Sequence, residues 1–245
     1  MIILELKNLS KNFGGLKAVS NFNMVVEKKE IKGLIGPNGS GKTTIFNMIA
    51  CYYPPTEGDI LYEGKSILGL RPDIVCQMGI ARTFQLTRPF SELSLIENIM
   101  VGAFATTSEE KEARRRAEEI YELLNFNASL NQNALDITTA DRKKLELARA
   151  LATGPKLLLL DEIMAGCNPQ EKKELIDILL MLRKEKDITM IIVEHDIRAI
   201  ISLCDKISVL DRGMKLVEDL PNVVANDQRV INVYLGEEYV AAKSK

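Results

Sequence analysis

The chain has 245 residues, 46% of them hydrophobic and 27% charged, enough for one α/β domain with a small inserted subdomain. A formal net charge of −2 provides no broad basic field, which argues against nucleic acid as a partner. Four scattered cysteines with no Cys-x-x-Cys, and one histidine, argue against a zinc site or a disulfide framework. Apolar runs are strand-sized and the first residues lack a signal-peptide order, so a soluble, cytoplasmic chain is expected.

Residues 2–6 alternate apolar and charged side chains as an edge strand does, Phe13-Gly14-Gly15 is a turn signal, and residues 23–26 begin another strand. An apolar run at residues 31–35 then feeds the sequence Gly36-Pro37-Asn38-Gly39-Ser40-Gly41-Lys42-Thr43-Thr44, which opens a helix rich in aliphatic residues. Glycines at 36, 39 and 41 let backbone N–H groups close on a polyphosphate without Cβ interference. The helix N-terminus adds partial positive charge, Lys42 a full one, and Thr43 a hydroxyl for Mg²⁺. A chance glycine-rich turn would not need a strand before it and a helix after it. The loop therefore predicts a bound nucleoside triphosphate.

Beyond it, Pro54-Pro55-Thr56-Glu57-Gly58 breaks the helix and residues 59–62 return as a strand. Residues 108–126 are charged and helical, with Ala113, Ala117, Ile120, Tyr121 and Leu124 at helical spacing. They mark an inserted helical subdomain of about residues 89–151, between core segments of about 1–88 and 152–245. Strand-like runs at 157–160, 190–193 and 207–210 alternate with helices at 170–182 and 197–203, which argues for a parallel sheet covered by helices.

Two strand ends carry chemistry. The run Leu157-Leu158-Leu159-Leu160 ends in Asp161-Glu162, where Asp161 is suited to hold Mg²⁺ through water and Glu162 to orient or deprotonate an attacking water. An exposed acidic strand end is the bland alternative. The run Met190-Ile191-Ile192-Val193 ends in Glu194-His195-Asp196, and His195 is the only histidine in the chain. A lone histidine is more often structural, but beside a phosphate loop at the carboxyl end of a sheet a γ-phosphate contact is the better reading.

With these residues in view, the chain resembles the ATP-binding subunits of ABC transporters over nearly its full length. The resemblance implies a P-loop NTPase α/β core with an antiparallel β subdomain and an inserted helical subdomain. It makes Asp161-Glu162 the Walker B pair and His195 the switch residue. It also implies a D-loop at Ala165-Gly166-Cys167-Asn168-Pro169, a Mg²⁺-sensing glutamine at Gln85 and an adenine-stacking aromatic at Phe13, which could otherwise be an ordinary hairpin residue. Within the family, Arg82-Thr83-Phe84-Gln85, the stretch at 95–102 and the ending at 229–236 resemble branched-chain amino acid uptake subunits. Lipopolysaccharide-export ATPases share a similar ending. The resemblance further implies ATP as substrate, Mg²⁺ as cofactor, a second ABC ATPase, two membrane permeases, an extracytoplasmic solute-binding protein, and a place on the cytoplasmic face of the membrane. A soluble ABC ATPase acting on ribosomes or DNA and a low-turnover nucleotide sensor are the competing readings.

Where the family carries a Leu-Ser-Gly-Gly-Gln signature this chain reads Ile137-Thr138-Thr139-Ala140-Asp141, and the resemblance implies that Thr138, Thr139, Ala140 and Asp141 act on the partner's nucleotide. Ala140 is expected to strain a left-handed or tight backbone, and Asp141 to put negative charge near the polyanion. A signature degraded in this way suits a heterodimer with one strong and one weak site. Cys51 stands where relatives end a helix with glycine, so that helix is expected to close without a left-handed residue, and Ile163 replaces the proline after Glu162.

Overall fold

The computed structural model describes residues 1–83 and 89–234; Gln85 lies outside the described residues. In chain order come β1 (Ile2–Phe13), β2 (Leu16–Glu27), β3 (Ile31–Ile35), α1 (Lys42–Ile49), β4 (Glu57–Tyr62), β5 (Lys65–Ser66), α2 (Pro72–Gln77) and β6 (Ile80–Arg82). Then follow α3 (Leu95–Ala103), α4 (Glu110–Leu124), α5 (Thr139–Ala152), β7 (Leu157–Asp161), α6 (Pro169–Lys186), β8 (Thr189–Val193), α7 (Ile197–Leu203), β9 (Lys206–Asp211), β10 (Met214–Asp219) and α8 (Pro221–Ala225). The chain divides into two compact units, one of Met1–Arg71 with Thr189–Lys245 and one of Pro72–Ile188.

In the first unit β1 pairs antiparallel with β2 and β4, and β4 with β5. The Phe13-Gly14-Gly15 turn closes this hairpin with Phe13 opposite Leu16, so β2 begins well before the apolar residues at 23–26. A second set of strands runs in the order β10-β9-β3-β8. β3 is parallel to both β8 and β9, and all five residues of β3 and of β8 are buried, as a parallel strand covered on both faces requires.

One member of β3 is charged. Lys32 has 1% exposure and its ammonium lies 3.0 Å from Glu30 and 2.9 Å from Glu218 on β10. Burial pushes the Glu218 pKa up, but hydrogen bonds from Lys215, Ser208 and Lys32 outweigh it and hold the carboxyl below its ordinary value. These bonds pin β10, whose hairpin tip then reaches the phosphate loop.

The helix α1 ends differently from the sequence-based expectation. Cys51 is left-handed, with φ 55°. Its N–H donates to Met48 O at 3.1 Å and that of Tyr52 to Asn47 O at 2.9 Å, the paired closure of a Schellman motif. Closing those carbonyls offsets the cost of about 1–2 kcal/mol that a Cβ adds in this region.

In the second unit β6 and β7 are parallel neighbours. α3 starts on a capping box: Ser94 Oγ accepts from Glu97 N, and Glu97 Oε2 accepts from Ser94 N at 2.8 Å. α4 buries Ala113, Ala117, Ile120 and Leu124, while its Tyr121 is half-buried and stacks on Phe126 with centroids 5.4 Å apart. α3 crosses α5 at Gly102. A Cβ there would sit 2.2 Å from Arg149 O and 3.0 Å from Ala152 Cβ. Gly102→Ala is therefore expected to force the helices apart and cost about 1–3 kcal/mol, read as a lowered urea midpoint. An unchanged midpoint would show slack at that crossing. None of the four cysteines is in a disulfide; Cys204 is buried and Cys51, Cys76 and Cys167 are half-buried.

Candidate functional site

In the first unit, β3 delivers the chain into the loop at Gly36, whose backbone φ is 150°. A Cβ at this position would lie 2.0 Å from Leu210 O on β9. Only glycine lets the loop pass that close to a sheet neighbour. Ser40 O accepts from Gly213 N at 2.9 Å, and Gly213 O accepts from Ser20 N at 2.8 Å, so the β9–β10 tip and β2 brace the loop from outside.

α1 begins after Gly41, which is left-handed and supplies no side-chain cap; its first turn has no acidic residue. The initial N–H groups of the helix therefore favour an anion from outside the chain. Lys42, 6% exposed, donates from Nζ to Gly36 O at 2.7 Å and Pro37 O at 2.8 Å. A phosphate oxygen is a stronger, charge-assisted acceptor for the same ammonium. Asn38, Gly39 and Thr43 are exposed, Pro37 and Thr44 half-buried, and Ser40 buried with no hydrogen-bond partner for its Oγ.

His195 belongs to the same edge. β8 is parallel to β3, with Gly33 opposite Ile192, so both strands reach their carboxyl ends together. His195 follows there as an exposed side chain, preceded by buried Glu194. Asp196 Oδ1 accepts from Arg198 N at 3.1 Å and Ala199 N at 3.3 Å, which starts α7 and fixes where the histidine leaves the strand. In open α/β sheets this edge is where ligands bind.

Phe13, at the end of β1, is 45% exposed. It meets Tyr53 edge-on, with ring centroids 5.4 Å apart and planes at 87°.

The second unit carries the acidic pair. Asp161 ends β7 at 3% exposure, and its Oδ2 accepts from Arg82 Nη2 at 2.9 Å. Its N–H donates to Thr83 Oγ1 at 3.0 Å, while Thr83 N donates to Leu159 O at 2.9 Å. A nearly dry ion pair and two hydrogen bonds thus hold this strand end. Glu162 is half-buried and left-handed, with φ 52°. Ile163 makes that possible, because a proline would disfavour an α-type conformation in the residue before it. Ile163 is itself buried at 1%.

The signature positions differ from expectation. Thr138 is the N-cap of α5, and its Oγ1 accepts from Asp141 N at 3.1 Å. Thr139 and Ala140 form the first helical turn, so Ala140 carries no left-handed strain and suits its place. Asp141 is fully buried: its carboxylate accepts from Asn127 N at 3.1 Å and from the Thr138 hydroxyl at 3.2 Å. Its charge is spent inside the unit rather than presented outward. Asn168 caps α6, accepting from Gln170 N at 2.9 Å and Glu171 N at 3.0 Å.

Arg82, Thr83 and Tyr53 had no signal as functional residues. Arg82 lies 79 positions from Asp161, and no local spacing announces such a pair.

A buried parallel strand, a glycine loop closing on an uncapped helix start, and a lysine inside that loop define a P-loop nucleotide-binding protein. The chain belongs to the ABC transporter family, whose model matches residues 19–165; it is an ABC ATPase. It is 37% identical to the high-affinity branched-chain amino acid transport ATP-binding protein BraF of Pseudomonas aeruginosa, over 96% of this chain and 98% of that one. Among solved structures, the ADP conformation of an ATP-binding cassette of an ABC transporter superposes with a TM-score of 0.87 at 29% identity, covering 96% of this chain and 99% of that one. A dimeric post-hydrolysis cassette bound to ADP and phosphate has a TM-score of 0.81 at 25% identity, covering 89% and 99%.

Proposed function

We propose that this chain is the ATP-hydrolysing subunit of an importer that takes up branched-chain amino acids. The observation that carries the reading is the phosphate loop with Lys42 inside it and His195 exposed at the same sheet edge. The solute class comes from relatives such as BraF, and the inward direction from the resemblance to branched-chain amino acid uptake subunits.

In this reading the loop from Gly36 to Thr44 binds the nucleotide, and Asp161 and Glu162 take the Mg²⁺-binding and base roles that membership of the family suggests. Loop N–H groups and Lys42 bind the β- and γ-phosphates, and Phe13 stacks on adenine. Glu162 takes a proton from the attacking water. The water oxygen bonds to the γ-phosphorus as the bond to the β–γ bridging oxygen breaks, releasing ADP and phosphate. His195 steadies the γ-phosphate through this step.

Among the described residues no cluster of three or more His, Cys, Asp or Glu side chains could form an all-protein metal cage. Thr43, with an exposed hydroxyl, and Asp161, whose carboxylate is held by Arg82, are the proposed Mg²⁺ contacts, each a hard oxygen of the kind Mg²⁺ prefers. Gln85 is the third proposed Mg²⁺ contact. When bound, the ion would supply charge neutralisation at the β- and γ-oxygens.

ATP-driven closure of two such subunits would move two permeases, fed by an extracytoplasmic binding protein. Among the described residues no helix is long and apolar enough to cross a membrane, which fits peripheral attachment at its cytoplasmic face. Dimerisation extends the solved dimeric cassette to this chain. Because residues 138–141 lack the glycines of the signature, the partner is a different ATPase with an intact one, and Asn168 lies in the D-loop at their junction.

A tagged pull-down from detergent-solubilised membranes tests this. Two multi-span permeases and a second ABC ATPase are expected by mass spectrometry. Recovery of soluble partners alone would remove the importer reading.

A further inference from the structure

We propose that Tyr53 and Lys11 form a seat that sets the angle of the Phe13 ring, making them positioning residues for the nucleotide base. The inference rests on the reading of Phe13 as the base-stacking aromatic.

Phe13 is poorly held by its own element. It stands at the end of β1 beside the Gly14-Gly15 turn, 45% exposed, so little packing restricts its ring. A freely turning ring would have to be ordered when a base arrives, and that ordering weakens binding.

Two neighbours supply the missing restraint. Tyr53 packs against Phe13 at 5.4 Å with planes at 87°, a favoured edge-to-face arrangement. The Lys11 ammonium lies 5.3 Å from the Phe13 centroid and 4.9 Å from that of Tyr53, within cation–π range of both. Lys11 is held in turn, since its Nζ donates to Pro54 O at 2.6 Å. With a cation against one face, the exposed remainder of the ring is left to an incoming base.

The seat is also tied to the phosphate-binding helix. Tyr53 OH accepts from Asn47 Nδ2 at 3.1 Å, and Asn47 is on α1, the helix that starts at Lys42. The left-handed Cys51 turns the chain so that Tyr53 comes back alongside Asn47. Beyond it, Thr56 N donates to Ser10 O at 2.8 Å and Asn12 N to Thr56 Oγ1 at 3.0 Å, tying the segment that follows Tyr53 to β1. One bonded path therefore links the helix that holds phosphates to the ring that holds the base. Stacking rewards the area of the base's π-face and fixes no hydrogen bond, so it favours a purine nucleoside triphosphate over a pyrimidine one without choosing between purines.

The test measures the affinity of the full chain for ATP and for inorganic tripolyphosphate, which lacks a base. Phe13→Leu is expected to weaken ATP roughly tenfold, Tyr53→Leu roughly fivefold and Tyr53→Phe about twofold, with tripolyphosphate unchanged. The Phe13→Leu/Tyr53→Leu double variant should be no weaker than Phe13→Leu alone. If Phe13→Leu weakens ATP and Tyr53→Leu does not, the seat is refuted and the stacking reading stands. If Phe13→Leu leaves ATP affinity intact, the stacking reading falls and the seat with it. Equal losses of ATP and tripolyphosphate in Tyr53→Leu, or additive losses in the double variant, would also overturn the proposal.

Discussion

Glu162→Gln is expected to lower ATP turnover by about 10²–10⁴-fold while leaving ATP affinity nearly intact. The side chain leaves the end of β7, whose residues 157–160 are fully buried, so its backbone origin is firmly set. Glutamine has the same shape and keeps a hydrogen-bonding end, but it cannot accept the proton that an attacking water must lose. The left-handed conformation at φ 52° is as costly for glutamine as for glutamate, so the substitution leaves the backbone strain unchanged. Phosphate release by the assembled transporter and equilibrium ATP binding measure the two halves of the claim. Normal hydrolysis would mean that another group is the base.

Gly36→Ala is expected to weaken ATP binding by about 100-fold or more, because it displaces the loop rather than removing a contact. The new Cβ would fall 2.0 Å from Leu210 O, and the φ of 150° is itself unfavourable for a side chain. Leu210 cannot easily retreat: β9 is paired to β3, with Val209 opposite Ile35, immediately before the loop. Relief comes either from tearing that pairing or from moving residues 36–41, and the loop has fewer bonds to lose. A stability loss of about 1–3 kcal/mol should accompany it. ATP titration and thermal unfolding of the same preparation check both numbers, and near-native affinity would show that the loop adapts.

Much was legible because it is local. The phosphate loop announces itself as a strand, a glycine pattern and a helix, all within one continuous stretch from Ile31 to Ile49. Apolar runs leading into Asp161-Glu162 and into Glu194-His195 were visible for the same reason; β7 ends at Asp161, and β8 at Val193, just before Glu194. Signals failed where the backbone chose between local options. Cys51 looked unable to take a left-handed turn, yet two main-chain bonds at the end of α1 stabilise it there. Ala140 looked strained only because its place was assigned by comparison with a glycine; within α5 it is an ordinary helical alanine.

The sequence by itself therefore determined the nucleotide-binding class, the strand–helix alternation and the acidic and histidine strand ends, since each depends on neighbours in the chain. Tertiary structure alone decided the Arg82–Asp161 ion pair, the Lys32–Glu218 bond that holds β10, the burial of Asp141 and the meeting of Lys11, Phe13 and Tyr53. Each of these joins groups far apart in sequence or depends on which face of an element is turned inward. Burial and pairing of that kind follow from how elements pack, and composition and periodicity record only that an element forms.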